Sequence, residues 1–214
     1  HVLLAAERQG VRRVIYASSS SVYGDFEGIK EEWMPANPIS PYGVTKLGGE
    51  HHCRVWTRVK GVSTVSLRYF NVFGPGQHPD SKYAAVFPAF ISALVNGKPA
   101  EIHGDGEQTR DFTFIDDVVR ANLLAMEADE AVSGQVLNVC AGAPKSVNEV
   151  FRTISEVMGT SIEPVHVNRR PGDILHSHGE ISKARSLLGW SPETDWQDAV
   201  KSTVDWFTRT GEPT

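Results

Sequence analysis

The chain has 214 residues, which is enough for one large domain or for a domain with a small appendage. Its 40% apolar and 22% charged residues are ordinary for a soluble globular protein. The formal net charge of −5 gives no electrostatic argument for binding nucleic acid or an anionic membrane, and no apolar run approaches the roughly 18 residues of a membrane-spanning helix.

The first ten residues include Glu7 and Arg8, so they predict a helix closed by Gly10 rather than a secretory signal. The two cysteines, Cys53 and Cys140, form no spacing motif. A reducing cytoplasm is the simplest environment for such a chain, and a cytoplasmic location is therefore expected.

The next residues predict a buried strand followed by a long helix. Residues 13–19 are a short apolar run bounded by polar residues, typical of a parallel strand, and residues 24–40 predict a loop. Ser40 as N-cap and Pro41 as the first helical residue start a helix that ends at Gly61. After it the pattern predicts a strand at 64–69, a loop at 71–82, helices at 83–96 and 116–127, and a strand at 136–140.

A capping box opens the next predicted helix, with Ser146 as the N-cap and Glu149 three residues later. The last predicted elements are a strand at 164–168 and helices at 180–188 and 195–209. Strands that alternate with helices in this way predict an α/β fold, a sheet with helices packed on its faces.

Tyr42 and Lys46 are four residues apart on the long helix, so both lie on one face, about 6 Å apart along the axis. The hydroxyl run Ser18–Ser21 ends the preceding strand and can bring a serine into the same pocket. An ammonium about 4 Å from a phenol favours the phenolate by roughly 4 kcal/mol at an effective dielectric near 20. The pattern therefore predicts a general base that removes the proton of an alcohol.

Five blocks carry a family resemblance, and they occur in the family's order. They are residues 17–24 (ASSSSVYG), 40–46 (SPYGVTK), 67–75 (LRYFNVFGP), 104–112 (GDGEQTRDF) and 169–173 (RRPGD). Together they resemble the extended short-chain dehydrogenase/reductases, and specifically the NAD-dependent epimerase/dehydratase branch typified by UDP-glucose 4-epimerases. The likeness extends over essentially the whole chain.

The resemblance departs at the start, because these enzymes begin with a G-x-x-G-x-x-G turn that seats the dinucleotide, and Gly10 is a lone glycine. It therefore implies an N-terminally truncated family member: a partial Rossmann-like, doubly wound parallel sheet with an exposed edge and a small C-terminal α/β substrate lobe. Residues 1–71 would be the C-terminal part of the NAD-binding domain. Residues 72–214 would mainly form the UDP-sugar lobe, with segments around 100–140 returning to the first domain.

The resemblance also implies roles for individual residues. Tyr42 would take the proton of the sugar 4-hydroxyl while hydride passes from C4 to NAD⁺, Lys46 would bond the nicotinamide ribose, and Ser19 would share the proton path. The implied NAD contacts are Ala17, Ser18, Tyr42, Lys46, Tyr69 and Phe70. The implied substrate contacts are Ser19, Ser20, Asn71, Ala85, Val86, Arg110, Arg170, Asp173 and Ser177.

Each implied substrate contact has a chemical basis. Arg110 and Arg170 suit the diphosphate, because guanidinium groups match phosphate oxygens, and Asp173 suits the uridine ribose. The backbone at residues 85–86 would contact the uracil. No metal is expected, because the adjacent histidines at 51–52 point to different sides of a helix and no third ligand has metal spacing.

The lack of acidic residues at positions 20 and 21 narrows the choice among the family's reactions. Related 4,6-dehydratases carry an acidic pair after the strand hydroxyl, and related decarboxylases carry a Glu before Val-Tyr-Gly, whereas this chain has Ser20 and Ser21. Plain 4-epimerisation of UDP-glucose and UDP-galactose is therefore favoured. Ser177 is small where strict UDP-glucose epimerases are bulky, which favours UDP-GlcNAc and UDP-GalNAc as further substrates.

Three alternatives stay open: a UDP-glucuronate 4-epimerase, another NAD-dependent sugar-nucleotide epimerase or dehydratase, and a non-catalytic nucleotide-binding relative. The intact set of Ser19, Tyr42 and Lys46 opposes the last, because binding alone requires no base. Gly48 and Gly49 predict close packing within their helix, since glycine there costs about 1 kcal/mol per residue. In the family this helix joins a dimer's helix bundle, so a homodimer is expected.

Overall fold

The computed structural model of the chain describes residues 1–77, 86–169 and 174–209. The helices are α1 (Val2–Gln9), α2 (Pro41–Lys60), α3 (Val86–Val95), α4 (Ile115–Glu127), α5 (Val147–Met158), α6 (Ser182–Leu188) and α7 (Trp196–Arg209). The strands are β1 (Arg13–Ser19), β2 (Ile29–Lys30), β3 (Ser63–Tyr69), β4 (Val72–Phe73), β5 (Glu101–His103), β6 (Thr109–Arg110), β7 (Thr113–Phe114), β8 (Gln135–Val139), β9 (Lys145–Ser146), β10 (Val165–Val167) and β11 (His178–Gly179).

A parallel sheet in the order β1-β3-β8 confirms the predicted α/β fold. Side chains alternate between its faces, because successive residues of a strand point in opposite directions. Tyr16 and Arg68 face α2, whereas Ile15, Val65 and Leu67 share an apolar core with α4. Helices therefore cover both faces. Within the described ranges β1 has one strand neighbour, β3, which leaves its other edge unpaired.

Two separate apolar cores hold the chain together. The first lies against the sheet and uses residues between 22 and 140, together with residues 181–190. The second contains α3, α5 and α7, and five aromatic rings contact one another at its centre, one pair stacked and the others edge-on or tilted: Phe73, Phe87, Phe112, Phe114 and Trp196. The return of residues 181–190 to the first core was not predicted, and the division at residue 71 stays a prediction.

The longer elements agree with the sequence patterns, as does the short strand β10 within the predicted strand at 164–168, whereas the other short strands were not predicted. Strand β5 was missed, and β2 and β4 fall in stretches predicted as loops. Each has only two or three residues, which is too short to show a period of two in the sequence. The predicted helix and loop boundaries at 78–85 lie outside the described residues.

Both cysteines are free and buried. In the described part of the chain, no helix combines the length and apolar character that crossing a bilayer requires.

Candidate active site

A cleft of about 700 Å³ opens at the carboxyl ends of β1 and β3. Ligands of open parallel sheets bind at this edge, outside the carboxyl ends of the strands. Its walls include Ser18, Ser19, Ser20, Ser21, Lys30, Tyr42, Tyr69, Asn71, Val86, Arg110 and Ser177. Most of the residues proposed from sequence for substrate are thus brought to one place.

The start of α2 positions the predicted base. Ser40 caps the helix, its Oγ accepting from the backbone N–H of Gly43 at 3.1 Å, and Tyr42 follows in the first turn with 38% of its surface exposed. Lys46 Nζ lies 5.4 Å from the centroid of the Tyr42 ring and donates to the Ala17 carbonyl at 2.8 Å. The end of β1 therefore holds an ammonium beside the phenol.

The four serines of the hydroxyl run differ in their surroundings. Ser19 caps a 3₁₀ turn at residues 20–23, with its Oγ accepting from the Ser21 N–H at 3.1 Å. Ser18 is buried, and its Oγ donates to Glu50 Oε1 at 2.5 Å. The Oγ of Ser21 is buried, and no group among the described residues forms a hydrogen bond with it. Ser20 and Ser21 both face the cleft.

A buried ion pair supports the site from beneath. Arg68 donates twice to Glu50, each bond 2.8 Å long, and its guanidinium lies 4.6 Å from the centre of the Tyr23 ring. Burial lowers the pKa of Arg68, but the hydrogen bonds and charge of Glu50 together with the interactions of Tyr23 outweigh burial, so the pKa is raised. Burial raises the pKa of Tyr23 to about 12. Both groups therefore keep their protons at neutral pH.

Asn71, Arg110 and Ser177 form the opposite wall of the cleft. Asn71 has a φ of 33°, an uncommon backbone angle for a residue with a side chain, and its Nδ2 donates to the Asp111 carbonyl at 3.0 Å. Arg110 Nη1 donates to the Thr109 carbonyl at 2.9 Å, and the Ser177 N–H donates to the same strand. Short backbone contacts thus fix a guanidinium and a small hydroxyl at the cleft.

The predicted cofactor contacts are not all brought to the cleft. Tyr69 lines it, with its Oη donating to Asn122 Oδ1 at 2.9 Å, and burial raises the pKa of Tyr69. Ala17 and Lys46 lie beside the cleft, joined to each other. The Phe70 side chain is fully buried in the first core, 6.2 Å from the Tyr23 ring centroid, and its predicted role at the nicotinamide stays a prediction.

Some predicted residues cannot be placed. Ala85, Arg170 and Asp173 lie outside the described residues. Residue Val86 is the first of α3 and lines the cleft. Over the ranges that the structure covers, no group of three or more His, Cys, Asp or Glu side chains could hold a metal ion.

Lys30, Glu50 and Arg68 are functional candidates that the sequence reasoning missed. The Lys30 side chain is 3% exposed and borders the cleft, although residue 30 was predicted to lie in a loop. A signal existed for the ion pair, because Arg68 is the only charged residue of its strand and Glu50 lies on the same helix face as Lys46. For Lys30 the sequence offers no comparable signal.

A family model described as "NAD dependent epimerase/dehydratase family" matches residues 1–140. A UDP-N-acetylglucosamine 4-epimerase from Methanobrevibacter ruminantium, in complex with UDP-N-acetylmuramic acid, is 37% identical with a TM-score of 0.93, over 98% of this chain and 67% of that one. A UDP-glucose 4-epimerase with UDP-glucose, from Thermotoga maritima, is 36% identical with a TM-score of 0.92, over 99% of this chain and 68% of that one.

A UDP-glucuronic acid 4-epimerase from Bacillus cereus, in complex with UDP-glucuronic acid and NAD, is 35% identical with a TM-score of 0.90, over 98% of this chain and 65% of that one. Among curated relatives, matches extend over 92–97% of this chain but only 59–67% of the relative. The chain thus spans about two thirds of the length of the proteins it matches. It belongs to the NAD-dependent epimerase/dehydratase family.

Proposed function

We propose that the protein carrying this sequence is an NAD-dependent isomerase that epimerises C4 of a UDP-hexose. The substrates would be UDP-glucose and UDP-galactose, and also their N-acetylated counterparts. One observation carries the proposal: the Lys46 ammonium, held by the Ala17 carbonyl, lies beside the Tyr42 phenol at the mouth of a cleft large enough for a sugar nucleotide.

In this proposal Tyr42 moves the proton. Its phenolate takes the proton from the sugar 4-hydroxyl and later returns it to the 4-keto oxygen. The positive charge of Lys46 stabilises the phenolate, and Ser19, at the end of β1, donates a hydrogen bond to the reacting oxygen. General acid–base catalysis of this kind contributes about 10²–10⁴-fold to a rate.

The residues present suit the nicotinamide end of the cofactor. Lys46 Nζ and the carboxyl end of β1 offer hydrogen bonds to a ribose, and the Tyr69 ring lies at the adjacent strand end. When bound, NAD⁺ supplies the acceptor and donor of the hydride at C4. The 214 residues contain no G-x-x-G-x-x-G turn, so they offer no such seat for the pyrophosphate.

The substrate wall supports a UDP-sugar. Arg110 brings a guanidinium to the cleft, and the small side chain of Ser177 leaves space for an acetamido group. Serines at 20 and 21, rather than acids, favour epimerisation over elimination of water. A UDP-glucuronate 4-epimerase is the second candidate, because a neighbour with a TM-score of 0.90 binds UDP-glucuronic acid. A homodimer through α2 remains part of the proposal.

Replacement of Tyr42 by Phe tests the proposed base. We expect kcat for 4-epimerisation to fall by at least about 100-fold, because the variant lacks the group that moves the proton. The dissociation constant for UDP-glucose, measured by calorimetry, should stay within a factor of two or so. Thr45→Ala, an exposed change on the same helix, serves as the control and should retain full turnover.

The substrates should be assayed as UDP-glucose, UDP-GlcNAc and UDP-glucuronate, each with added NAD⁺. Turnover of the first two supports the proposed specificity, and turnover of UDP-glucuronate alone supports the second candidate. Unchanged turnover in the Tyr42→Phe protein would refute the assignment of the base. Binding without any turnover by the unmutated protein would favour a non-catalytic relative.

A further inference from the structure

Lys30 is a buried cation at the cleft for which the reaction described above has no use. Its side chain is 3% exposed, and its Nζ donates to the His176 carbonyl at 2.8 Å and to the Gly28 carbonyl at 3.3 Å. Strand β2 fixes this position by pairing with β11, two residues beyond His176. An ammonium has three N–H donors. Two are used by these carbonyls, which leaves one for a ligand.

A second cation, Arg110, lies close enough to Lys30 to act on its charge. Burial and the positive charge of Arg110 both lower the pKa of Lys30. Within residues 1–77, 86–169 and 174–209, no carboxylate forms an ion pair with it. A buried charge is retained at a cost unless a group of opposite sign compensates it. An anionic ligand in the cleft would supply that compensation.

We propose that Lys30 adds a second cation to the part of the cleft that contains Arg110, and that its Nζ donates a hydrogen bond to an anionic oxygen of a sugar nucleotide. Arg110 donates through a planar guanidinium and Lys30 through a compact ammonium, so the two can hold different oxygens of one ligand. The inference rests on the proposed function only in taking a UDP-sugar as the ligand; it requires neither NAD nor turnover.

Two parts of a sugar nucleotide carry such oxygens, the diphosphate and the C6 carboxylate of a hexuronic acid. Their shared chemistry, an anion with several acceptor oxygens, is what this site recognises. Lys30 lies next to the chain segment of Ser177, which the proposed function places at the sugar. A diphosphate site and a carboxylate site predict that different ligands lose affinity when Lys30 is replaced, so one set of binding measurements distinguishes them.

The experiment compares Lys30→Met with the unmutated chain, using calorimetric titrations of uridine, UDP, UDP-glucose and UDP-glucuronate. Methionine is close to lysine in length and removes the charge. If Lys30 holds the diphosphate, UDP and both UDP-sugars should bind about tenfold more weakly while uridine is unaffected. If it holds a carboxylate, only UDP-glucuronate should lose affinity by that factor.

Lys98→Met, at an exposed position outside the cleft, is the matched control and should leave all four affinities unchanged. Thermal unfolding of each variant shows whether the fold is retained. A second variant, Lys30→Gln, also removes the charge but keeps a polar side chain. Equal affinities in the Lys30 variants and the unmutated chain would overturn the proposal, as would a failure of the unmutated chain to bind UDP. If the Lys30 variants bind these ligands more weakly but the unmutated protein shows no turnover, this inference is upheld and the proposed function is refuted.

Discussion

Two neighbouring glycines on α2 have opposite surroundings. A Cβ built on Gly49 would lie 2.2 Å from the Tyr16 ring, whereas one built on Gly48 meets nothing within 4 Å. The sequence predicted close packing for both, and it holds for Gly49. The Lys46 ammonium also lies over the Tyr16 ring, 5.6 Å from its centroid. Gly49 therefore leaves room for a ring that contacts the proposed catalytic lysine.

Alanine at each glycine should have opposite effects on the free energy of unfolding. Gly48→Ala should raise it by about 1 kcal/mol, because alanine is the better helix former and the site is open. The free energy of unfolding of the Gly49→Ala protein should be roughly 1–3 kcal/mol lower than that of the Gly48→Ala protein, because the Tyr16 ring must move to admit the new Cβ. Urea unfolding of the two variants measures the difference. Equal stabilisation by the two alanine substitutions would show that the Tyr16 ring moves without an energetic cost.

The buried pair of Glu50 and Arg68 makes a second prediction. The two side chains are 2% and 4% exposed, and Ser18 donates to the same carboxylate. Glu50→Ala leaves an uncompensated guanidinium in the interior, so the free energy of unfolding should fall by about 3–5 kcal/mol. Asp205→Ala is the control, because its ion pairs with Lys201 and Arg209 lie at the surface and their loss should destabilise the fold far less.

Chemical denaturation of both variants compares the buried ion pair with the surface pairs. A loss below about 1 kcal/mol for Glu50→Ala would mean that water reaches Arg68, against its observed burial. At this residue scale the sequence predicts which side chains lie together on one helix, but not which groups on different elements meet. The four-residue spacing placed Tyr42 and Lys46 together, whereas Glu50 and Arg68 meet only because α2 packs on β3.

At the scale of elements, the clearest agreement between sequence and structure is the start of α5. Ser146 Oγ accepts from the Glu149 N–H at 3.1 Å, and the Glu149 carboxylate accepts from the Ser146 N–H at 2.8 Å. Both bonds of the predicted capping box are present. The motif is readable because its partners are three residues apart and need no tertiary contact.

This capping box predicts a pH-dependent contribution to stability. The hydrogen bond from the Ser146 N–H is the main cause that lowers the pKa of Glu149 below its ordinary value of 4.5. A carboxylate with a lowered pKa stabilises the fold above that ordinary value, and the contribution is lost as the pH falls through the folded-state pKa. We expect Glu149→Gln to remove this dependence. Urea unfolding at pH 7 and at pH 3.5 tests it.

The difference in the free energy of unfolding between Glu149→Gln and the unmutated chain should be larger at pH 7 than at pH 3.5. Ser146→Ala should cost about 1 kcal/mol at pH 7, because the helix loses its N-cap hydroxyl. A difference that is the same at both pH values for Glu149→Gln would contradict the role of the charge.

Elements of two or three residues mark the limit of the sequence reasoning. Strands β2 and β11 exist because they pair with each other across about 150 residues of chain, and their pairing fixes Lys30 at the cleft. Neither shows a local pattern, since a period of two needs at least four residues. The long elements could be predicted from periodicity and caps, whereas the part of the site built on short strands required the tertiary structure.

At the scale of the whole molecule, the chain crosses between its two cores more often than its sequence suggests. The first core takes buried residues from 22–70, 118–140 and 181–190, and the second core takes them from the intervening stretches 73–114 and 147–154 and from 199–204. Trp190 is the largest fully buried side chain, and its Nε1 donates to the Asp117 carbonyl of α4 at 3.0 Å. The Asp117 carboxylate accepts from the backbone of Glu193 at 2.9 Å. The segment after α6 is therefore part of the first core.

Trp190→Ala should consequently destabilise the sheet, although its strands lie far from residue 190 in the sequence. Loss of a buried tryptophan costs about 3–5 kcal/mol, since a cavity remains where the ring was. Amides of β3 lie in the same core, so their hydrogen exchange should lose protection by a similar free energy, more than 120 residues from the substitution. Trp33→Ala, at a side chain that is 74% exposed, should leave this protection unchanged. Normal protection of β3 in the Trp190 variant would mean that residues 181–190 can detach from the sheet without unfolding it, and that the first core is complete without them.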